Sequence, residues 1–300
     1  MNNKIIPCLW FSDEAEEATN FYISLFENSR INGYERYTKA GFEYHQKPEG
    51  SIASIEFELS GQKFVALNGG PVFKFSEAIS LFVYCESDER FEKLYEKLIE
   101  DGEILMEKDK YDWSEKYAWV KDKYGLSWQL DIEKINSSQK IVPSLLFVNE
   151  KFTLLKEAFD FYVSIFPESK QLYSFSYPPS EDIPEGTLLF NQVSLSGYIL
   201  NGMSSSYKHN FDFNEAISFM IMCDSQEEID YFWEKLLDGG MAQQCGWLKD
   251  KFGISWQVVP ADLLKISLDA DMDKLEKIQN ALFKMIKIDW NELKQIALNK

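Results

Sequence analysis

One phrase occurs twice in this chain of 300 residues. VKDKYGLSWQL covers Val120–Leu130, LKDKFGISWQV covers Leu248–Val258, and the differences between them are conservative. An internal repeat constrains the fold strongly, because both copies are expected to build the same supersecondary unit. The chain therefore contains at least one structural unit in duplicate.

Three further motifs repeat in the same order, which indicates that a long segment was duplicated as a whole. Two long copies are typical of a tandem duplication, whereas a solenoid needs shorter and more numerous repeats. The polar segment EKINSSQK (133–140) separates the copies and is interpreted as a linker. The repeated motifs are FYISLF at 21–26 with FYVSIF at 161–166, LNG at 67–69 with LNG at 200–202, and FSEAIS at 75–80 with FNEAIS at 213–218.

Each copy alternates between strand-like and helix-like patterns in the order strand, helix, strands, and then strand, helix, strands again. This order predicts an α+β fold with two similar modules in each copy. We expect a first domain over residues 1–134, a second over 140–260, and a helical tail over 261–300. A helical stripe in the tail needs an apolar partner on the chain itself or across a dimer; it consists of Leu275, Ile278, Leu282, Met285 and Ile286.

Composition limits the partners and the compartment. The formal net charge of −18 argues against nucleic acid and anionic membranes, because both require basic surface. The start MNNKIIPCLWF is too short for a signal-peptide core, and no apolar run approaches the length of a membrane span, so a cytoplasmic location is predicted. The four cysteines have no CxxC spacing and are interpreted as reduced thiols.

The repeated phrase itself reads as a hairpin whose second strand has two different faces. Gly125 supplies the positive φ of the turn, and alternation then puts Leu126, Trp128 and Leu130 on one face. Ser127, Gln129 and Asp131 share the other face. The apolar face is expected to pack on a helix, while the glutamine either meets solvent or lines a concave cavity.

Taken together, PCLWF, AEEATNFYISLF, FVALNGG, FKFSEAIS and DKYGLSWQL resemble the PhnB-like branch of the glyoxalase and vicinal-oxygen-chelate superfamily, also labelled 3-demethylubiquinone methyltransferase. The ordered set occurs in both copies. The resemblance implies tandem glyoxalase-like domains, each with two paired βαβββ modules that form a cupped mixed sheet with helices outside. In the enzymes of this superfamily, side chains on the first and last strands of each module hold a divalent metal ion.

Carried over to this chain, the metal-holding positions have unsuitable side chains. Pro, Ala and Ile offer no donor atom and Ser is a weak one, which leaves only the two glutamines. His45 and His209 are both predicted in loops. The sequence therefore predicts no metal and no cofactor, and the glycine pairs do not form the nucleotide-binding turn of a methyltransferase. The positions are Pro7, Ala66, Ser80 and Gln129 in the first copy and Pro143, Ile199, Ser218 and Gln257 in the second.

We expect metal-independent binding of a small, partly apolar molecule in one or both cups by a monomer or homodimer. Ser80 with Gln129, and Ser218 with Gln257, would supply hydrogen bonds. Trp10 and Tyr84 would contribute to aromatic walls. Two alternatives stay open: a metal-assisted isomerase, lyase or dioxygenase, and a structural or interaction protein whose cups are filled by their own side chains.

Asn68 and Asn201 each precede a glycine. This position favours a turn former, while a hydrogen-bond donor inside the cavity is the alternative.

Overall fold

The structure is a computed structural model that describes residues 4–133, 135 and 137–298. The first copy contains strands β1 (Ile5–Phe11), β2 (Arg30–Arg36), β3 (Ile52–Leu59), β4 (Gln62–Asn68), β5 (Ile79–Cys85), β6 (Glu103–Tyr111), β7 (Ser114–Lys121) and β8 (Ser127–Ile132). The second contains β9 (Ile141–Phe147), β10 (Lys170–Ser176), β11 (Leu188–Leu195), β12 (Tyr198–Ser204), β13 (Ile217–Cys223), β14 (Met241–Ala242), β15 (Trp247–Lys249) and β16 (Ser255–Pro260).

Helices α1 and α3 of the first copy correspond to α4 and α5 of the second, the short α2 is found in the first copy, and the tail adds three more to the described residues. They are α1 (Ala15–Leu25), α2 (Phe42–His45), α3 (Asp88–Leu98), α4 (Leu155–Ile165), α5 (Gln226–Leu237), α6 (Ala261–Asp269), α7 (Met272–Leu282) and α8 (Trp290–Leu298), with a 3₁₀ turn at Asn149–Lys151.

The described strands pair into two eight-stranded mixed sheets, and each sheet takes strands from both copies. The orders are β14-β15-β16-β13-β1-β4-β3-β2 and β10-β11-β12-β9-β5-β8-β7-β6. The α+β class and the glyoxalase-like modules are confirmed, with one correction to their pairing. The first module of each copy shares its sheet with the second module of the other copy, through the antiparallel pairs β1 with β13 and β5 with β9.

Helices α1, α3, α4 and α5 pack on one face of these sheets. We call the opposite, concave face of the β1–β4 and β13–β16 sheet cup A, and that of the β5–β8 and β9–β12 sheet cup B. Because each cup uses both copies, the cups do not coincide with residues 1–134 and 140–260. Those domain boundaries stay a prediction.

The repeated phrase contains a buried carboxylate that ties the two modules of one copy together. Asp122 Oδ2 accepts hydrogen bonds from Tyr22 Oη and Trp128 Nε1, both at 2.8 Å, and Oδ1 accepts from the backbone N–H groups of Tyr124 and Leu126. Burial raises the pKa of Asp122, and these hydrogen bonds oppose that shift.

The second copy repeats this network at Asp250. Its Oδ2 accepts from Tyr162 Oη at 2.6 Å and from Trp256 Nε1 at 2.8 Å, and backbone N–H groups bond to Oδ1. The phrase therefore links the α1 or α4 tyrosine to the hairpin. The predicted packing of the apolar face is also observed, because Trp128 and Trp256 are fully buried in the core beneath the helices.

The tail lies against the edges of cup A. Helix α6 begins directly after β16 and contacts β2 at the far edge of the same sheet. The segment after α7 then returns, where Met285 O and Ile286 O accept hydrogen bonds from the N–H groups of Cys245 and Gly246, each at 2.8 Å. Leu275 and Ile278 of the predicted stripe are buried against the chain itself, whereas Ile286 lies beyond the end of α7 and is exposed.

Candidate functional site

The floor of cup B is built on a hydrogen-bonded chain that joins β5, β8 and β7. Gln129 Nε2 donates to Ser80 Oγ at 2.6 Å, and Tyr117 Oη donates to Gln129 Oε1 at 2.7 Å. All three side chains are buried. Alternation along β8 places Gln129 on the face opposite Trp128, so the polar group turns away from the helices.

Strands β9, β11 and β12 add a second set of polar groups to this floor. Gln192 Nε2 donates to Tyr84 Oη at 3.0 Å and to Asn201 Oδ1 at 2.8 Å, so these side chains connect the two copies. Ser144 lies opposite Ser80, and its buried Oγ has no hydrogen-bond partner among the described residues. A buried hydroxyl without a partner is unfavourable, and a bound molecule with a polar atom would satisfy it.

Asp131 is a buried carboxylate of cup B. It lies two residues beyond Gln129 on the same face of β8 and is paired across the strands with Tyr84 and Tyr117. Ser114 Oγ donates to Asp131 Oδ1. Burial raises the pKa of Asp131 to about 6, although the Ser114 hydrogen bond opposes the shift.

Aromatic side chains surround this polar floor. Phe82, Tyr84, Tyr117 and Val142 form an apolar cluster separate from the main core, and Ile135 of the linker packs against it. The rings of Phe82 and Tyr84 are 4.8 Å apart. These side chains close the floor from solvent in the present conformation, so a ligand reaches Gln129 only when they separate.

The rim of cup B is exposed and aromatic. Tyr173 and Phe175 on the edge strand β10 are 61% and 60% exposed, and they lie opposite Gln192 and Phe190. Residues directly opposite in an antiparallel pair share a face. Both rings therefore lie on the concave side of the sheet.

Cup A has the same glutamine–serine pair on a different floor. Gln257 Nε2 donates to Ser218 Oγ at 2.9 Å. Cys8 also contacts both side chains, and burial raises the pKa of its thiol to about 11. At the positions of Tyr84 and Asp131, cup A has Met222 and Val259, so this cup has no carboxylate at the position of Asp131.

Trp10 and Trp247 form part of the wall of cup A, with ring centroids 6.1 Å apart. Trp119 of cup B donates to Ser127 Oγ at 2.6 Å, whereas the corresponding Ser255 Oγ of cup A is buried without a partner among the described residues. Each cup therefore contains one unpaired serine, so this feature alone does not distinguish them.

The tail is what distinguishes cup A from cup B. Gly33 of β2 lies opposite Glu56 in the position that Tyr173 occupies in cup B. A Cβ atom at Gly33 would come within 3.0 Å of the Leu268 side chain of α6. Next to it, Glu35 accepts a hydrogen bond from Gln279 of α7. The concave face at β2 is thus covered, while the matching face at β10 is exposed.

The side chains of either floor do not fit a divalent metal ion. The residues that meet at the centre are Cys8, Val65, Ser218 and Gln257 in cup A, and Ser144, Asn201, Ser80 and Gln129 in cup B. Neutral amides and hydroxyls are weak ligands, and the Cys8 thiol holds its proton. Among the described residues, no group of three or more His, Cys, Asp or Glu side chains could hold a metal.

Four of the positions carried over from the resemblance need correction. In cup B, Pro143 pairs with Leu81 on the helix-facing side and Ser144 takes the central position, while the residue that meets Ser144 is Asn201 and not Ile199. Pro7 pairs with Phe219 on the helix-facing side, and the residue that faces Ser218 is Cys8. Ala66 lies opposite Ile55, also on the helix-facing side, and Val65 takes the central position. At Pro7, Ala66 and Pro143 a shift of one residue reverses the face.

The structure brings the predicted site residues into two groups. Ser80, Gln129 and Tyr84 lie in cup B, and Ser218, Gln257 and Trp10 lie in cup A. The prediction of these residues as ligand contacts stays a prediction.

Sequence reasoning missed several polar groups of cup B. The turn interpretation is wrong for Asn201, which lies within β12 on the cup B floor. Asn68 is the last residue of β4, and its Oδ1 accepts a hydrogen bond from Ala15 N at the start of α1. Gln192 and Tyr117 gave no signal, whereas Asp131 was correctly placed on the face of Gln129 by alternation.

Solved structures are similar to this chain in sequence or in fold. A putative 3-demethylubiquinone-9 3-methyltransferase, PhnB protein, from Bacillus cereus is 41% identical over 44% of this chain and 100% of its own, with a TM-score of 0.40. A protein from Staphylococcus aureus is 34% identical over 44% of this chain and 97% of its own, with a TM-score of 0.18. Glyoxalase I from Zea mays is 10% identical over 87% of this chain and 93% of its own, with a TM-score of 0.55, which shows the fold alone.

Paired βαβββ modules with concave sheets define a protein of the glyoxalase-like, vicinal-oxygen-chelate fold. Within it, the chain belongs to the family described as 3-demethylubiquinone-9 3-methyltransferase, whose model matches residues 3–131 and again 139–259. A search of curated proteins gave no match. No described helix combines the length and the apolar character needed to cross a membrane.

Proposed function

We propose that cup B binds a small, partly apolar molecule without a metal ion. The observation that carries this proposal is the exposed aromatic rim at Tyr173 and Phe175 above a floor of buried polar side chains. Ligand sites in proteins combine apolar walls with a few convergent polar groups, which is the composition of this cup. Gln129, Ser80 and Ser144 are the polar groups that would contact the ligand.

Cup A is proposed to have a structural role. Its lining residues Cys8, Val65 and Met220 belong to the main hydrophobic core together with Leu263 of α6. The tail supplies the apolar partner that a ligand would otherwise provide. The alternative of a cup filled by the chain's own side chains is therefore proposed for cup A. Ser218 and Gln257 then help to hold its floor together.

The family name suggests methyl transfer, but the geometry does not support a nucleotide-type methyl donor. Gly69 and Gly70 follow β4 and precede an irregular segment, and Gly239 and Gly240 end α5. Neither pair lies between a strand and the start of a helix, where such a donor is bound. The cytoplasmic location and the monomeric or homodimeric state stay predictions.

The test compares Gln129→Ala with its matched control Gln257→Ala, which makes the same change in cup A. Ligand-observed NMR with a library of small aromatic and amphiphilic molecules identifies binders to the unmodified protein. We expect Gln129→Ala to weaken the binders about fivefold or more, since a ligand hydrogen bond contributes about 1 kcal/mol. Gln257→Ala should leave them unchanged. Binders that are equally insensitive to both substitutions would contradict the assignment to cup B.

A further inference from the structure

Asp131 has weaker compensating contacts among the described residues than the other buried carboxylates. Asp122 and Asp250 also lack a cation, but each accepts four hydrogen bonds. Glu56 is paired with Lys63, Glu58 with Arg30, and Glu215 with Lys249, at 2.9 to 3.0 Å. No Lys or Arg of the described residues forms an ion pair with Asp131, whose carboxylate accepts a hydrogen bond from Ser114 Oγ. A buried carboxylate without a cation is unfavourable, so it gains stability from a positively charged partner.

Aromatic rings are arranged around the strand positions next to this carboxylate. Tyr84 and Tyr117 flank Asp131 on the neighbouring strands. Tyr111 and Trp113 stack on each other with centroids 4.9 Å apart, and each meets Tyr117 edge-on, at 5.6 and 6.0 Å. Aromatic faces attract cations through their quadrupole, and the attraction is stronger where water is excluded.

A surface depression lies close to this carboxylate, at the β6–β7 turn. An open depression there is lined by residues 110–115, including Tyr111, Trp113 and Ser114. Ser114 also donates to Asp131, so the depression and the carboxylate share a side chain. Lys110 also lines the depression, but it is paired with Glu115 and so does not give the depression an excess of positive charge.

From these contacts we infer that the ligand of cup B contains a cationic nitrogen, which pairs with Asp131 among the rings of Tyr117, Tyr111 and Trp113. The inference rests on the proposed function and deepens it, because it names the chemical class of the ligand. Cup A has Val259 in place of Asp131, so this recognition belongs to cup B alone. The net charge of −18 also favours the approach of cations over anions.

The experiment uses two probes of nearly equal shape, 2-phenylethylamine, which is protonated at pH 7.5, and neutral 2-phenylethanol. Isothermal titration or NMR titration of the full chain gives both dissociation constants. We expect the amine to bind about tenfold more tightly than the alcohol, which is the size of one charge-assisted contact next to aromatic rings. Asp131→Asn should abolish this preference and leave the alcohol unchanged.

Glu58→Gln is the matched control, because it removes the same charge from the other cup. The amine should keep its advantage in that variant. Equal binding of the two probes, or a preference that survives Asp131→Asn, would overturn the cationic ligand and leave the proposed function standing. Failure of both probes to bind the unmodified protein would overturn both proposals.

Discussion

Cup A and cup B are built from equivalent strands in the same order, and they differ in what covers the concave face. Helices α6 and α7 lie on β2 in cup A, whereas the equivalent strand β10 of cup B presents Tyr173 and Phe175 to solvent. A methionine and a valine in cup A correspond to Tyr84 and Asp131 in cup B. The difference shows that duplication preserved the scaffold while the two floors diverged, one towards a core and one towards a site.

The parts that did not diverge are those that hold the modules together. Asp122 and Asp250 accept the same four kinds of hydrogen bond, from a helix tyrosine, a strand tryptophan and two backbone N–H groups. Because both cups need the hairpin in the same place, the network is equally necessary in each copy.

The largest effect is expected from this shared network. Asp122→Ala and Asp250→Ala should each lower the free energy of unfolding by about 3–5 kcal/mol, since several buried donors lose their acceptor at once. Urea denaturation of the two variants measures the loss. Similar values are expected for both, and a loss below about 1 kcal/mol in either copy would contradict the role of the network.

A smaller effect follows from exchanging the residues that distinguish the two rims. Gly33→Tyr should destabilise the protein by about 1–3 kcal/mol, because the new ring overlaps Leu268 and displaces α6. The reverse exchange in cup B, Tyr173→Gly, removes an exposed ring and should change stability by about 1 kcal/mol or less.

Denaturation of Gly33→Tyr and Tyr173→Gly under the same conditions compares their losses of stability. If Gly33→Tyr is tolerated as well as Tyr173→Gly, the tail does not hold cup A closed.

The smallest effect concerns pH and Asp131. Its folded pKa of about 6 lies above the unfolded value near 3.8, so the folded state holds the proton more tightly. The contribution of Asp131 to the free energy of unfolding is therefore present at low pH and is lost as the pH rises from about 4 to 6.

The groups around Asp131 affect its pKa in opposite directions. Glu133 adds to the upward shift, while Ser114 and the Ile132 N–H oppose it. The neighbouring Tyr84 and Tyr117 have raised pKa values and stay neutral.

Asp131→Asn removes this ionisation and should stabilise the protein at pH 7.5 by about 1 kcal/mol, with little effect at pH 4.5. Thermal unfolding at the two pH values measures the difference. A variant less stable than the unmodified protein at pH 7.5 would mean that a cation of the chain itself already neutralises Asp131.

Much of the scaffold could be predicted from the sequence, because repeats and alternation are local patterns. Alternation around Trp128 correctly placed Gln129 and Asp131 on the concave face. The pairing of each first module with the second module of the other copy could not be predicted. The sequence pattern of β1 fits pairing with β5 of its own copy as well as pairing with β13 of the other copy. The register error at Pro7 arose because a shift of one residue reverses the face of a strand.

The contents of the two cups depend on contacts that no local pattern encodes. The stripe in the tail predicts an apolar partner but does not say which surface supplies it. Exposed Tyr173 and Phe175 look like ordinary strand residues, and only the tertiary structure shows that the tail leaves them uncovered. Ser144 and Asn201 gain their significance from strands that are distant in sequence.

A crystal structure of the full chain with 2-phenylethylamine tests the central claim, that cup B is available to a ligand and cup A is closed by the tail. We expect density for one amine in cup B, with its nitrogen within hydrogen-bonding distance of the Asp131 carboxylate, and α6 still on β2. Density in cup A with α6 displaced from Gly33 would contradict the account.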